Sequence, residues 1–145
     1  MKQTTALTLY FENSAGQLLE HPAGFLRATW SERPRQLADT RALFTHMLRA
    51  LLQRGWSRIL IDQRVMLPFS SEEQTWIAQE WLPRAVQEGG YRAGAVVVSA
   101  DVMTRLATAF VTTQIQNRAL VYRSFETEAE ATEWLLQQPA SPRGE

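Results

Sequence analysis

The run Arg58-Ile59-Leu60-Ile61-Asp62 constrains this chain more than any other segment. It is short, rich in β-branched side chains and set between two stretches of helical period, which suits a strand buried on both faces at the centre of a sheet. A central strand of that kind must be covered by other elements, and the rest of the chain supplies them.

Before it, Leu7, Leu9 and Phe11 alternate with Thr8, Tyr10 and Glu12, the period of a half-buried strand. Asn13-Ser14-Ala15-Gly16 supplies turn residues before Gln17 to Glu20, so a β-hairpin is expected. Phe25 to Trp30 reads as a third strand whose apolar face is Leu26, Ala28 and Trp30. Pro34 suits the entry to a helix bearing Leu37, Phe44, Met47, Leu48, Leu51 and Leu52, which Gly55 ends.

After the central strand, Ser71 with Gln74 fits a capping box, and Ser70 with Glu73 fits the same pattern one residue earlier. The helix that follows carries Trp76, Ile77, Trp81 and Ala85 on one face, with a kink expected at Pro83 and an end at Gly89-Gly90. Tyr91 to Ser99 reads as a buried strand, and Asp101 caps a third helix bearing Val102, Met103, Leu106 and Phe110. Leu120 to Phe125 is the last strand, and Thr127 with Glu130 opens a final helix bearing Ala131, Trp134 and Leu135. Strand and helix alternate from the third strand onward, so those strands are expected to run parallel through right-handed crossovers. The expected fold is one α/β domain over residues 1–138: a mixed sheet with an N-terminal antiparallel hairpin, then parallel strands, flanked by about four helices. Residues 139–145 read as a flexible tail.

Composition narrows the chemistry. The 145 residues suit one sizeable core, and the formal charge is zero, so neither nucleic acid nor a membrane surface is an expected partner. The absence of cysteine removes disulfides, thiolate catalysis and Cys-ligated zinc. No secretory pattern or membrane-spanning run is visible, so a cytoplasmic location is expected. Every basic side chain except Lys2 is Arg, which holds anions but does not serve as a base. His21, beside Pro22, and His46, expected at the surface, have no companions at catalytic or ligand spacing. No catalytic residue, metal or cofactor is expected, and the chain does not read as an enzyme.

Ligands of open α/β sheets gather beyond the carboxyl ends of the strands, which directs attention to the segment from Asp62 to Trp76. Arg64 pairs with Asp62 or holds an anion. Ser70 and Ser71 cap the next helix or carry a phosphoryl group in the field of its N-terminus. Val65, Met66, Leu67, Pro68 and Phe69 form an apolar contact patch or pack against the sheet. Trp76 and Trp81 stack on a flat ligand or join the core. Glu72, Glu73 and Glu80 read as a solvated helix face. The candidate interaction or anion-binding surface is thus Asp62, Arg64, Phe69, Ser70, Ser71 and Trp76.

Asp62-Gln63-Arg64, then Ser70-Ser71-Glu72-Glu73-Gln74-Thr75-Trp76 and Glu80-Trp81-Leu82-Pro83-Arg84, followed by an Ala/Val strand and the late Phe125 to Leu135 segment, resemble the small bacterial STAS-like proteins of unknown function. These are often grouped with anti-sigma-factor antagonists and loosely with CRAL-TRIO lipid-binding domains. The resemblance spans Leu7 to Leu136 and implies a mixed sheet flanked by helices without known catalysis. True antagonists carry a phosphorylatable serine in an Asp-Ser-Ser-Gly-type sequence at this helix start. Phe69-Ser70-Ser71-Glu72 lacks both the preceding acid and the following glycine. The expected role is a non-enzymatic regulatory or protein-interaction module that meets an unidentified protein partner. The alternative is a small-molecule or lipid-binding domain with its pocket between the 71–88 helix and the sheet.

Overall fold

The computed structural model describes residues 6–113 and 119–141. They form a six-stranded sheet in the order β1-β2-β3-β4-β5-β6, antiparallel across β1 to β3 and parallel from β3 onward. The expected mixed α/β fold is the observed one, with four helical segments on the sheet.

The strands β1 (Thr8–Asn13) and β2 (Gly16–His21) close as a hairpin. The Asn13 side-chain oxygen accepts the Ala15 N–H at 2.9 Å, which satisfies the turn locally. β3 (Phe25–Trp30) places Leu26, Ala28 and Trp30 in the larger core and Phe25 in a second core on the opposite face. α1 (Leu37–Arg54) starts at Gln36, whose side chain and Asp39 cap each other's backbone. It ends at Gly55, whose φ of 68° lets its N–H reach the Leu51 carbonyl at 2.8 Å. Most of the helix's expected apolar face is buried, but Leu52 is not: it lies one position off the inward stripe and is 54% exposed.

β4 (Arg58–Asp62) is the central strand, paired with β3 on one side and with β5 (Ala93–Val97) on the other. Ile59 faces the larger core and Leu60 the smaller one. α2 (Ser71–Trp76) passes through a π-helical turn, Ile77–Trp81, into α3 (Leu82–Gln87). The Leu82 N–H reaches back five residues to the Ile77 carbonyl. This widened turn just ahead of Pro83 is how the helix accommodates a residue that cannot donate and crowds the preceding turn.

α4 (Val102–Thr113) and β6 (Val121–Phe125) complete the parallel half. α1, α2 with α3, and α4 all contribute to the larger core on one face. Among the described residues only α5 (Glu128–Leu136) covers the other, through Ala131 and Leu135 against Phe25, Leu60, Ala93, Ala95 and Val97. A side chain at Gly94 would strike the Tyr91 hydroxyl and the Tyr122 ring; the Tyr91 hydroxyl donates to the Tyr122 hydroxyl at 2.8 Å. Of the expected tail, Pro139 is tied by its carbonyl to the Ser57 hydroxyl at 2.8 Å, and residues 142–145 lie outside the described residues. No helix among the described residues is long and apolar enough to cross a membrane.

Candidate interaction surface

Asp62 ends β4 on the α5 face and is 7% exposed. Its carboxylate accepts the Arg64 backbone N–H at 3.1 Å and the Arg64 guanidinium at 3.0 and 2.8 Å. Arg27, from the neighbouring strand, donates to Asp62 at 3.1 Å and to both oxygens of Glu128 at 2.8 Å. Arg64 also reaches Glu128 at 3.3 Å. Two arginines and two carboxylates therefore close a neutral network at the carboxyl edge of the sheet, at the first turn of α5. Burial opposes ionisation of Asp62, but the Arg64 hydrogen bonds and the charges of Arg64 and Arg27 outweigh it and hold this carboxyl below its ordinary value. An ionised carboxylate with four donors is a clamp on the β4 exit rather than a free base.

The loop after Arg64 alternates between inside and outside. Met66 and Phe69 are 3% and 6% exposed, whereas Val65 and Leu67 project into solvent. Phe69 packs edge-on against Trp30 with centroids 5.2 Å apart, so its place is in the core and not on a contact surface. Arg35 holds this loop by donating to the Leu67 and Pro68 carbonyls at 3.1 and 3.2 Å.

Ser70 is the N-cap of α2. Its hydroxyl accepts the Glu73 N–H at 3.1 Å while Glu73 accepts the Ser70 N–H at 2.7 Å. The capping box is therefore Ser70 with Glu73, and Ser71 stands exposed one residue further on. Glu73 corrects the expectation of a solvated face: it is 4% exposed, forms a two-pronged pair with Arg35 at 2.9 Å and accepts the Thr40 hydroxyl. Burial disfavours its charge, but Arg35, Thr40 and the Ser70 N–H overcome this and hold its pKa below the usual value. A phosphoryl group on Ser70 would lose the cap and meet the Glu73 carboxylate.

Trp81 joins the core, its ring N–H donating to the Phe44 carbonyl at 2.6 Å. Trp76 is half-buried against Phe44, with the Arg41 guanidinium 5.7 Å from its ring. His46 is half-buried and stacks on Phe11 at 3.8 Å, and His21 stacks on Phe25 at 4.2 Å. Between Trp81, Tyr91, Ile61, Gln63 and Thr108 lies a cavity of about 40 Å³.

The structure thus brings Asp62 and Arg64 together but sets them on the opposite face of the sheet from Phe69, whose neighbours belong to the α1 and α2 layer. Residue-by-residue reading missed Arg27, Arg35, Thr40 and Glu128. The one local signal was Arg27 beside Thr29 on the non-apolar face of β3, where a buried charge needs a partner.

α4 reverses the face its sequence suggests. Thr104, Ala107 and Val111 point inward, while Val102, Met103, Leu106 and Phe110 are 63, 61, 58 and 50% exposed. The small inward residues let the helix approach closely, and the Thr104 hydroxyl donates to the Met66 carbonyl at 3.2 Å. The Thr104–Met66 bond sets the start of α4 against the loop that carries the exposed Val65 and Leu67. Comparison with protein-family models, with curated proteins and with solved structures finds no significant match.

Proposed function

We propose that this chain is a non-enzymatic regulatory or protein-interaction module of STAS-like type, working in the bacterial cytoplasm. The observation that carries this reading is the outward apolar stripe of α4, a helix whose start is bonded to the loop bearing the exposed Val65 and Leu67. Monomeric surfaces rarely expose contiguous apolar patches beyond a few hundred Å², and larger ones mark contact sites. The charged residues of the Asp62 junction are engaged with one another, each carboxylate already bonded to arginine. Affinity capture from the native cells, run in parallel with wild-type and Leu106→Arg protein, tests the reading. A protein partner held by the wild type and lost by the variant is the expected result; identical recoveries would remove α4 from the interaction.

The second reading, a small apolar or lipid ligand, draws on the cavity beside Trp81. At about 40 Å³ it is an order of magnitude below the roughly 300–1,000 Å³ of ordinary ligand pockets. A ligand would have to displace α4. Native mass spectrometry showing a co-purifying small molecule would favour this reading over the first.

A further inference from the structure

We propose that the groove between one flank of α4 and β6 is a binding site for a small carboxylic acid with an apolar body, its carboxylate held by Arg105; this rests on the small-ligand reading above and moves the ligand out of the closed cavity. The groove encloses about 350 Å³, within the roughly 300–1,000 Å³ of ordinary ligand sites. It shares a wall of Gln63, Thr108, Thr112 and Tyr122 with the cavity beside Trp81, so a ligand reaches these groups without moving α4. Side-chain direction brings the lining together. Arg105, Thr108, Ala109 and Thr112 recur at intervals of three and four residues and share one flank of α4. On the sheet, Val96 pairs with Ser124, and Val98 and Tyr122 stand two residues from them, so all four share the face on which Tyr122 meets the larger core. Gln63 follows Ile59 and Ile61 at period two and faces the same way from the end of β4.

What these side chains leave unused is hydrogen-bond donors. Gln63 is 4% exposed; its amide oxygen accepts the Thr108 hydroxyl at 2.9 Å, and its amide N–H groups have no acceptor among the described residues. Tyr122 accepts the Tyr91 hydroxyl at 2.8 Å and keeps its own O–H, which burial holds protonated by pushing its pKa up to about 12. Arg105 donates its Nε to the Ser99 carbonyl, and among the described residues its terminal nitrogens meet neither a carboxylate nor a carbonyl. No carboxylate lines the groove among the described residues. The other charged residue there, Arg123, turns its guanidinium over Phe125, which packs on the α5 side of the sheet. One cation, spare neutral donors and no acid call for an anionic acceptor, while Val96, Val98 and Ala109 call for an apolar body behind it. A buried amide donor without an acceptor is destabilising, and a ligand oxygen relieves it.

The test is nitrogen-edited NMR of the full chain titrated with sodium benzoate. Two further probes run beside it: benzamide, which keeps the ring without the charge, and inorganic phosphate, which keeps charge without an apolar body. Benzoate is expected to bind saturably, with a Kd of about 1 mM or tighter, and to shift the Gln63 side-chain amide together with the backbone amides of Val96, Thr108 and Ser124. Arg105→Gln removes the cation and Ser124→Asp sets a carboxylate in the groove; each alone is expected to weaken binding by at least about tenfold. Arg33→Gln, exposed ahead of α1, is expected to leave it unchanged, and the unliganded spectrum of each variant reports its fold. No saturable shift up to about 20 mM benzoate, or binding indifferent to both groove variants, would overturn the proposal. Benzamide binding as tightly as benzoate would overturn the carboxylate, and phosphate matching benzoate would overturn the apolar body. Native mass spectrometry separates the site from the reading beneath it. A small molecule that co-purifies equally with wild-type and Arg105→Gln protein defeats the groove and spares the ligand reading; neither a co-purifying molecule nor benzoate binding defeats both.

Discussion

Two ionic clusters hold this molecule, and they differ in how much water they see. The Arg35–Glu73 pair joins the approach to α1 to the start of α2, with side-chain exposures of 3 and 5%. The Arg27–Asp62–Arg64–Glu128 network joins β3 and β4 to α5, and its members range from 9% exposed at Asp62 to 48% at Arg64. In the first, the other partners of both groups are neutral, the Leu67 and Pro68 carbonyls for Arg35 and the Thr40 hydroxyl and Ser70 N–H for Glu73, so among the described residues each charge is balanced by the other alone. In the second, two acids and two bases share contacts and water screens the outer half. Similar side chains thus make a rigid pin in one place and an adjustable clamp in the other.

Glu73→Ala breaks the pin and leaves Arg35 buried without its partner, so it is expected to cost about 3–5 kcal/mol in urea unfolding. Asp62→Ala should cost less, about 1–3 kcal/mol, because Arg27 keeps Glu128 and Arg64 turns to solvent. Its local mark is faster amide exchange in the first turn of α5. Ser70→Ala should remove about 1 kcal/mol while Ser71→Ala changes thermal stability within experimental scatter, which separates the capping serine from its neighbour. Arg64→Ala, half in solvent, is expected to cost under about 0.5 kcal/mol and to lose even that in high salt.

Acid titration sharpens the same contrast. Asp62 and Glu73 both have folded pKa values below their unfolded ones, so their stabilisation is present above the unfolded carboxylate value of about 4 and is lost as pH falls through the lower folded values. Unfolding midpoints should drop across that window. Glu73→Gln should flatten part of the drop, and a wild-type profile independent of pH below about 4 would show that neither cluster is ionised as described.

Much of the fold was legible because it is written locally. Period-two alternation marked β1 and β3, the αL position after α1 called for Gly55, and the Ser70–Glu73 box needed only residues three apart. The site was less legible. Glu73 looked solvated because helix-face patterns place a residue relative to its own helix, and the buried base that receives it, Arg35, lies 38 positions earlier. Arg27 and Glu128 are 101 positions apart, and no local pattern pairs them.

α4 marks the boundary between what the chain settles alone and what assembly settles. The sequence by itself determined that residues 102 to 113 form a helix with two dissimilar faces, because propensity, the Asp101 cap and side-chain spacing act within a few residues. Only the tertiary structure decided that Thr104, Ala107 and Val111 turn inward while Val102, Met103, Leu106 and Phe110 face out. The space left beside Gln63, Met66 and the π-helical turn is narrow, and a close approach there favours small side chains over large ones. Burial is a property of the surroundings, and those surroundings exist only once the other elements are in place.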